Sequence, residues 1–158
     1  HMEIIDYFKS DKPDYWLAEI KKGDWGAIST LARFIEENSF HENLGEGTLL
    51  LLTEWDRLLS FVTFAERDCI DDEKLSPWIG FVYTFPEYRG HHYVGKLIFR
   101  CEEIASEKGI SQIYICTDHI GLYEKYGFSY IENRVDIYGG DSRIYRKNIS
   151  EENQNAKF

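Results

Sequence analysis

Apolar residues recur along the chain with two different periods, and the switches between them predict the order of strands and helices. Strands are predicted at 3–8, 48–53, 58–65, 78–85, 112–116, 129–138 and 142–147. Helices are predicted at 15–22, 25–38, 91–108 and 119–126. The resulting order, βααβββαβαββ, is typical of a mixed α/β layer built on one central sheet.

Capping and turn residues predict where several of these elements begin and end. Asp14 and Asp24 are N-cap candidates for the two early helices, and Gly23 is expected to end the first of them. A polar, acidic loop is predicted at 66–76, and the last two strands are expected to form a hairpin around 139–141. The apolar stripe of the helix at 91–108 predicts that one of its faces packs on the sheet.

Composition limits the classes of protein that the chain can belong to. Its 158 residues suit one domain, which we place at 2–149, followed by a polar tail at 150–158. A net charge of −10 disfavours nucleic acid as a partner and makes a cationic one more plausible. No apolar run approaches the ~20 residues that span a bilayer, so no membrane partner is expected.

The cysteines and histidines show no pattern typical of a disulfide framework or a metal site. Cys69, Cys101 and Cys116 form an odd, irregularly spaced set, which fits the reducing cytosol and predicts a cytoplasmic protein. The adjacent His91 and His92 cannot both face one ion on a regular helix. No metal is therefore expected.

The junction between the strand at 78–85 and the following helix carries the strongest chemical signal. Its sequence is Pro86-Glu87-Tyr88-Arg89-Gly90-His91-His92-Tyr93-Val94-Gly95-Lys96-Leu97. The first N–H groups of a helix lack intrahelical partners and lie at the positive end of its dipole, so such a turn can hold phosphate. On spacing alone, a plain strand-to-helix connection is an equal alternative.

Taken with the later segment Leu122-Tyr123-Glu124-Lys125-Tyr126-Gly127-Phe128, this junction resembles the GNAT superfamily of acyl-CoA-dependent N-acetyltransferases. In that family an Arg/Gln-x-x-Gly-x-Gly/Ala turn holds the coenzyme A pyrophosphate. A later Leu-Tyr-Glu-Lys-x-Gly-Phe segment closes the other wall of the cleft. The match is partial, because His92 and Val94 stand where the family has small residues, and Gly95 lies one place late.

The resemblance implies a single mixed, mostly antiparallel central sheet flanked by helices, with the fourth and fifth strands splayed apart. It implies acetyl-CoA as cosubstrate, with the pantetheine arm along the free edge of the fourth strand. The coenzyme contacts that it implies are Val82, Tyr83, Thr84, Arg89, Gly90, His91, His92, Tyr93, Val94, Gly95, Lys96, Tyr123 and Lys125. The amine then attacks the thioester directly, and an unpaired strand amide stabilises the tetrahedral intermediate.

Two proton transfers are expected in such a reaction. A primary amine of pKa ~10.4 is neutral in only about one molecule in 2,500 at pH 7, a penalty of roughly 4.6 kcal/mol, so a general base is useful. Glu87 in the motif is our candidate, and Asp68, Asp118 and His119 remain alternatives. Tyr123 matches the family tyrosine that protonates the departing thiol.

The expected function is therefore acetyl transfer from acetyl-CoA to a primary amine, either a small cationic amine or a peptide amine. The acidic loop and net charge favour a cationic acceptor, while an aromatic amine is also compatible with Trp25, Trp55, Trp78 and Tyr83. The alternatives are a non-catalytic acyl-CoA-binding regulatory module and a partner-binding domain on a decayed version of the fold. Either a monomer or a homodimer is expected.

Overall fold

A computed structural model of the chain describes residues 1–149, so the predicted tail at 150–158 lies outside the described residues. One seven-stranded sheet crosses the molecule in the order β1-β2-β3-β4-β5-β7-β6. Its strands are β1 Met2–Asp6, β2 Gly47–Glu54, β3 Arg57–Ala65, β4 Trp78–Thr84, β5 Gln112–Thr117, β6 Ser129–Val135 and β7 Asp141–Asn148. Only β4 and β5 pair in parallel, which confirms the mixed, mostly antiparallel sheet.

Four α-helices and three 3₁₀ turns connect the strands. The helices are α1 Pro13–Ile20, α2 Ala27–Glu36, α3 Phe40–Leu44 and α4 Tyr93–Glu107, and the 3₁₀ turns are Tyr7–Lys9, Pro86–Tyr88 and Tyr123–Tyr126. None of the described helices is both long and apolar enough to cross a bilayer.

Helices cover both faces of the sheet, and the continuous leucine run of β2 is buried on both sides for that reason. Leu49 and Leu51 pack with α1, α2 and α3 on one face. Leu50 and Leu52 pack on the other face with α4, through Leu97, Ile98, Cys101 and Ala105. The apolar stripe predicted for the helix at 91–108 is thus confirmed as its core-facing side.

Three local predictions are wrong. The helix expected at 119–126 is only a 3₁₀ turn at Tyr123–Tyr126, because Gly121 adopts a positive φ of 86° that interrupts any helix. Asp14 lies inside α1, in its first turn, and Asp24 precedes the start of α2 and accepts a hydrogen bond from the Tyr83 hydroxyl. Helix α3 was not predicted.

Candidate active site

Strands β4 and β5 part from each other and open a cleft in the middle of the sheet. They pair only at Trp78↔Tyr114 and Ile79↔Ile115, which confirms the splay implied by the resemblance. Beyond Ile79 the two strands diverge around a cleft of about 1020 Å³. Among residues 1–149, no strand pairs with the main-chain edge of β4 that faces this cleft, so this edge can accept an extended ligand.

A β-bulge reshapes β4 where it lines the cleft. Thr63 pairs with Gly80 and Phe61 with Tyr83, so β4 has one residue more than β3 over the same span. Phe81 adopts a positive φ of 46° within the bulge. A bulge re-aims neighbouring peptide groups and often borders a functional site. The bulge in β4 lies beside Val82, at the start of the stretch predicted to bind the pantetheine arm and the thioester.

The turn between β4 and α4 presents a row of unpaired amides. Gly90 has a φ of 88°, and His92, with a φ of 58°, is the N-cap of α4. Within residues 1–149, the N–H groups of residues 90–94 donate to no protein group, whereas the next one, Gly95 N–H, donates to the His92 carbonyl. Unpaired N–H groups at the positive end of a 15-residue helix can bind an anion, and we call residues 90–94 the cradle, although its binding of coenzyme A stays a prediction.

Some residues around the cradle are exposed to solvent, and others pack against the rest of the protein. Gly90, His91, His92, Lys96 and Lys125 are exposed, while Val94 packs against the core beneath α4. Tyr93 is half-buried and stacks on His91 with 5.2 Å between ring centroids. Arg89 turns back, and its Nε donates to the Thr84 carbonyl at 2.9 Å.

Gly95 sets the distance between α4 and the 3₁₀ turn at Tyr123–Tyr126. A Cβ at this position would lie 2.9 Å from Cε1 of Tyr126, which is too close for an unaltered contact. A larger residue here would require the Tyr126 ring to shift, so glycine allows the turn that carries Tyr123 to pack close to the start of α4. Its contribution to coenzyme binding stays a prediction.

Tyr123, the predicted proton donor, lies at the cleft. Its side chain is only 4% exposed and lines the cleft. Burial raises the pKa of Tyr123, and nearby Tyr126 and Cys116 raise it further. The phenol thus holds its proton at neutral pH, as an acid must, but it is a weak acid whose help is modest.

The four candidate bases occupy different places. Glu87 is exposed on the Pro86–Tyr88 turn and lines a smaller groove of about 390 Å³, which adjoins the cleft at Asp24 and Tyr83. Asp118 and His119 are exposed at the rim of the cleft, while Asp68 lies in its wall. The structure therefore brings Asp68, Asp118 and His119 together with Tyr123, but not Glu87.

Asp68 is half-buried against β4, where its carboxylate occupies the space that a Cβ on Gly80 would fill. Loss of hydration raises the pKa of Asp68, and hydrogen bonds from Cys116 and Cys69 oppose that rise. The pKa of Cys116 is itself raised, first by its contact with Cys69 and then by burial. A protonated thiol is a poor nucleophile, which agrees with direct attack by the amine.

The lining of the cleft also contains residues that the sequence analysis did not identify. Thr30, Arg33 and Phe34 of α2 and residues 136–138 of the β6–β7 turn all line it. Only the tertiary fold brings these segments together, so no local sequence pattern could have identified them.

The four aromatic residues expected near an amine acceptor are divided by the structure. Trp25 and Tyr83 line the cleft and stack in parallel with ring centroids 5.9 Å apart. Trp55 is exposed at the β2–β3 turn and Trp78 is buried in the core, and neither lines the cleft.

Charge around the cleft is predominantly negative. The lining carboxylates are Asp24, Asp68, Asp118 and Asp136, and the lining guanidinium groups are Arg33 and Arg89. Asp136 accepts the N–H groups of Tyr138 and Gly140 and so stabilises the β6–β7 turn. Asp24 is exposed and directed at the adjoining groove as well. Carboxylates therefore outnumber guanidinium groups in the lining of the cleft.

Comparison with known proteins agrees with this geometry. Residues 5–128 match the model of the acetyltransferase (GNAT) family, so the match spans most of the chain. No curated protein matches the chain in sequence.

Solved structures share the fold over nearly its whole length. An acetyltransferase of the GNAT family from Desulfovibrio desulfuricans is 15% identical, with a TM-score of 0.69 over 95% of this chain and 100% of that chain. A GNAT family acetyltransferase from Elizabethkingia anophelis with acetyl-CoA bound is 14% identical, with a TM-score of 0.65 over 93% and 97%. Aminoglycoside 6'-acetyltransferase type Ii is 15% identical, with a TM-score of 0.70 over 95% and 97%. At such identities the likeness establishes the fold alone.

Proposed function

We propose that this chain, which belongs to the GNAT acetyltransferase family, transfers the acetyl group of acetyl-CoA to a primary amine. One observation supports the proposal most directly. The free edge of β4 and Tyr123 line the cleft between β4 and β5, and the unpaired amides of residues 90–94 follow directly after Arg89, which also lines it. An anion cradle, a strand edge and an acid are the three parts that binding and cleaving this thioester requires.

Each part has a distinct role in the proposed reaction. The amides of residues 90–94 bind the pyrophosphate, and exposed Lys96 and Lys125 add positive charge nearby. The edge of β4 from Val82 to Thr84 binds the pantetheine arm, and a main-chain N–H released by the bulge stabilises negative charge on the thioester oxygen. Tyr123 supplies a proton to the departing thiol.

The acceptor that the cleft suits best is a cationic amine. Four carboxylates against two guanidinium groups border the cleft, and the chain as a whole has a charge of −10. Long-range attraction of a cation raises its local concentration and its rate of association. The similarity to an aminoglycoside acetyltransferase supports a small polyamine-like acceptor, and a lysine side chain of a peptide is the alternative of the same charge.

A thiol-release assay with acetyl-CoA and a panel of amines tests this proposal. The panel contains an aminoglycoside, a linear polyamine, a lysine-containing peptide and a neutral aromatic amine. We expect cationic members to accelerate release of coenzyme A. Tight binding of acetyl-CoA without acceleration by any amine would instead support the non-catalytic module, and the lack of any thermal shift with acetyl-CoA would exclude both functions.

The proposed setting is the cytoplasm, with the protein as a monomer or homodimer. All three cysteines are free thiols, as in proteins of a reducing compartment.

A further inference from the structure

Three potential metal ligands from two separate parts of the chain meet in the wall of the cleft. Asp68 and Cys69 lie in the loop between β3 and β4, and Cys116 lies in β5. The Cys69 and Cys116 sulfurs are 2.6 Å apart, and Cys116 Sγ is 3.3 Å from Asp68 Oδ2. All three ligand atoms fall within 4.8 Å of one another, and all three residues are half-buried.

The carboxylate of this cluster has no cationic partner. No ion pair within residues 1–149 includes Asp68, which accepts hydrogen bonds only from Cys116 and Cys69. The Asp68 carboxylate also lies against Gly80, where a Cβ on residue 80 would overlap it, so only glycine leaves room for this carboxylate. Burial disfavours the ionised form of a carboxyl group, and a cation bound beside it would stabilise that form.

We propose that Asp68, Cys69 and Cys116 bind one thiophilic divalent cation of the zinc class. Thiolate sulfur and carboxylate oxygen are both zinc ligands, and three protein ligands leave a fourth position for water. Binding of M²⁺ releases the two thiol protons. The cluster keeps its charge, because one carboxylate gives −1 before binding, and one carboxylate, two thiolates and M²⁺ give −1 afterwards.

The surroundings allow the adjustment that binding needs. Two thiolates on one zinc, each with a Zn–S bond of ~2.3 Å in tetrahedral geometry, lie roughly 3.8 Å apart, so the sulfurs must separate by about 1 Å. Cys116 is fixed in β5 by pairing with Ile144 of β7. Cys69 lies in a loop, although its carbonyl accepts the Ile137 N–H at 2.8 Å, so its side chain can turn while its backbone stays in place.

A cation explains the cluster better than a disulfide between the same two cysteines. A disulfide would remove both thiol donors and leave the Asp68 carboxylate with the Cys69 N–H alone. A cation replaces those donors with a direct bond to the carboxylate. Because Cys116 and Tyr123 line the same cleft, a bound cation is expected to inhibit acetyl transfer, a consequence that rests on the proposed function.

Calorimetric titration of the tag-free, phosphine-reduced protein with zinc chloride tests the site directly. We expect one ion per chain and two protons released on binding. Cys69→Ser, Cys116→Ser and the near-isosteric Asp68→Asn should each weaken binding at least about 10-fold. Cys101→Ala is the control, because Cys101 is buried in the core beneath α4, and its affinity for zinc should match that of the unaltered chain.

Binding does not depend on the acetyl-transfer proposal, so the two can fail separately. Absence of binding at 100-fold excess zinc, or an affinity unchanged in folded Cys116→Ser, would overturn the metal site. So would a Cys69–Cys116 disulfide found by mass spectrometry in protein alkylated at cell lysis, since that result assigns the pair to redox chemistry. If zinc still inhibits acetyl transfer in Cys116→Ser, the inhibition does not arise from a cation bound beside Tyr123 at this cluster.

Discussion

Gly90 offers the sharpest test of the amide cradle, because a matched glycine lies at the other end of the same helix. Gly90 precedes α4 with a φ of 88°, and Gly109 follows it with a φ of 71°. A Cβ at either position would meet nothing within 4 Å. Alanine at each site therefore introduces backbone strain without a steric clash, and only Gly90 belongs to the cradle.

The two alanine variants should lose similar stability. An alanine held in the left-handed region costs about 1–2 kcal/mol. For a domain of this size each kcal/mol lowers Tm by roughly 2–4 °C. Thermal melts followed by circular dichroism should thus show comparable decreases for Gly90→Ala and Gly109→Ala.

Coenzyme binding should separate the variants. Strain at Gly90 is relieved by rotation toward negative φ, which turns the following amides of the cradle away from the pyrophosphate. One lost hydrogen bond to a charged group costs about 1.5–3 kcal/mol, which corresponds to a roughly 10- to 150-fold increase in the Kd of acetyl-CoA. Titration calorimetry should show this increase for Gly90→Ala and no increase for Gly109→Ala.

Two results would refute the reasoning. Equal Kd values for both variants and the unaltered chain would mean that the residue 90–94 amides do not hold the coenzyme. An equal increase in both variants would mean that the loss reflects general destabilisation and not the cradle.

Three further substitutions test neighbouring parts of the site. Tyr123→Phe should lower kcat about 10- to 100-fold while the affinity for acetyl-CoA stays nearly unchanged. Tyr126→Phe, from the same turn, is the control and should retain turnover. Full activity of Tyr123→Phe would exclude Tyr123 as the acid. Gly95→Ala forces a Cβ against Tyr126 and should destabilise the protein by about 1–3 kcal/mol in denaturant melts, so unchanged stability would contradict the packing described. His92→Gly should change the acetyl-CoA Kd less than about 3-fold, within 0.7 kcal/mol by calorimetry, and a large gain would mean that the imidazole crowds the cradle.

Sequence patterns predicted the elements that have a strong local signal. The β2–β3 hairpin was expected at 48–53 and 58–65 and is found at Gly47–Glu54 and Arg57–Ala65, because long β-rich runs around a polar turn favour one pairing. Helix α3 was not predicted because five residues, Phe40–Leu44, are too few to show a helical period.

The residues of the candidate site also divide into those that a local sequence pattern could identify and those that it could not. The turn at 86–97 and Tyr123 could be identified because each belongs to a contiguous motif. The cluster in the cleft wall could not, since Asp68 and Cys116 are 48 positions apart and Cys69 and Cys116 are 47 apart. Spacing alone indicated an unpatterned set of cysteines, and only pairing of β4 with β5 brings two of them into contact. Prediction from sequence thus ends where a site depends on long-range strand pairing.

The departures from the family's glycine pattern are explained by which groups the turn presents. A small residue is needed where a side chain would point at the phosphate or where φ is positive. His92 does have a positive φ of 58°, yet its side chain is exposed and its N–H is unpaired, so it supplies the same donor as glycine at a cost of about 1–2 kcal/mol in backbone strain. Val94 directs its side chain to the core, away from the cradle. Because the proposed anion site is made of main-chain hydrogens, it tolerates these substitutions, while Gly90, whose φ of 88° shapes the turn, remains glycine.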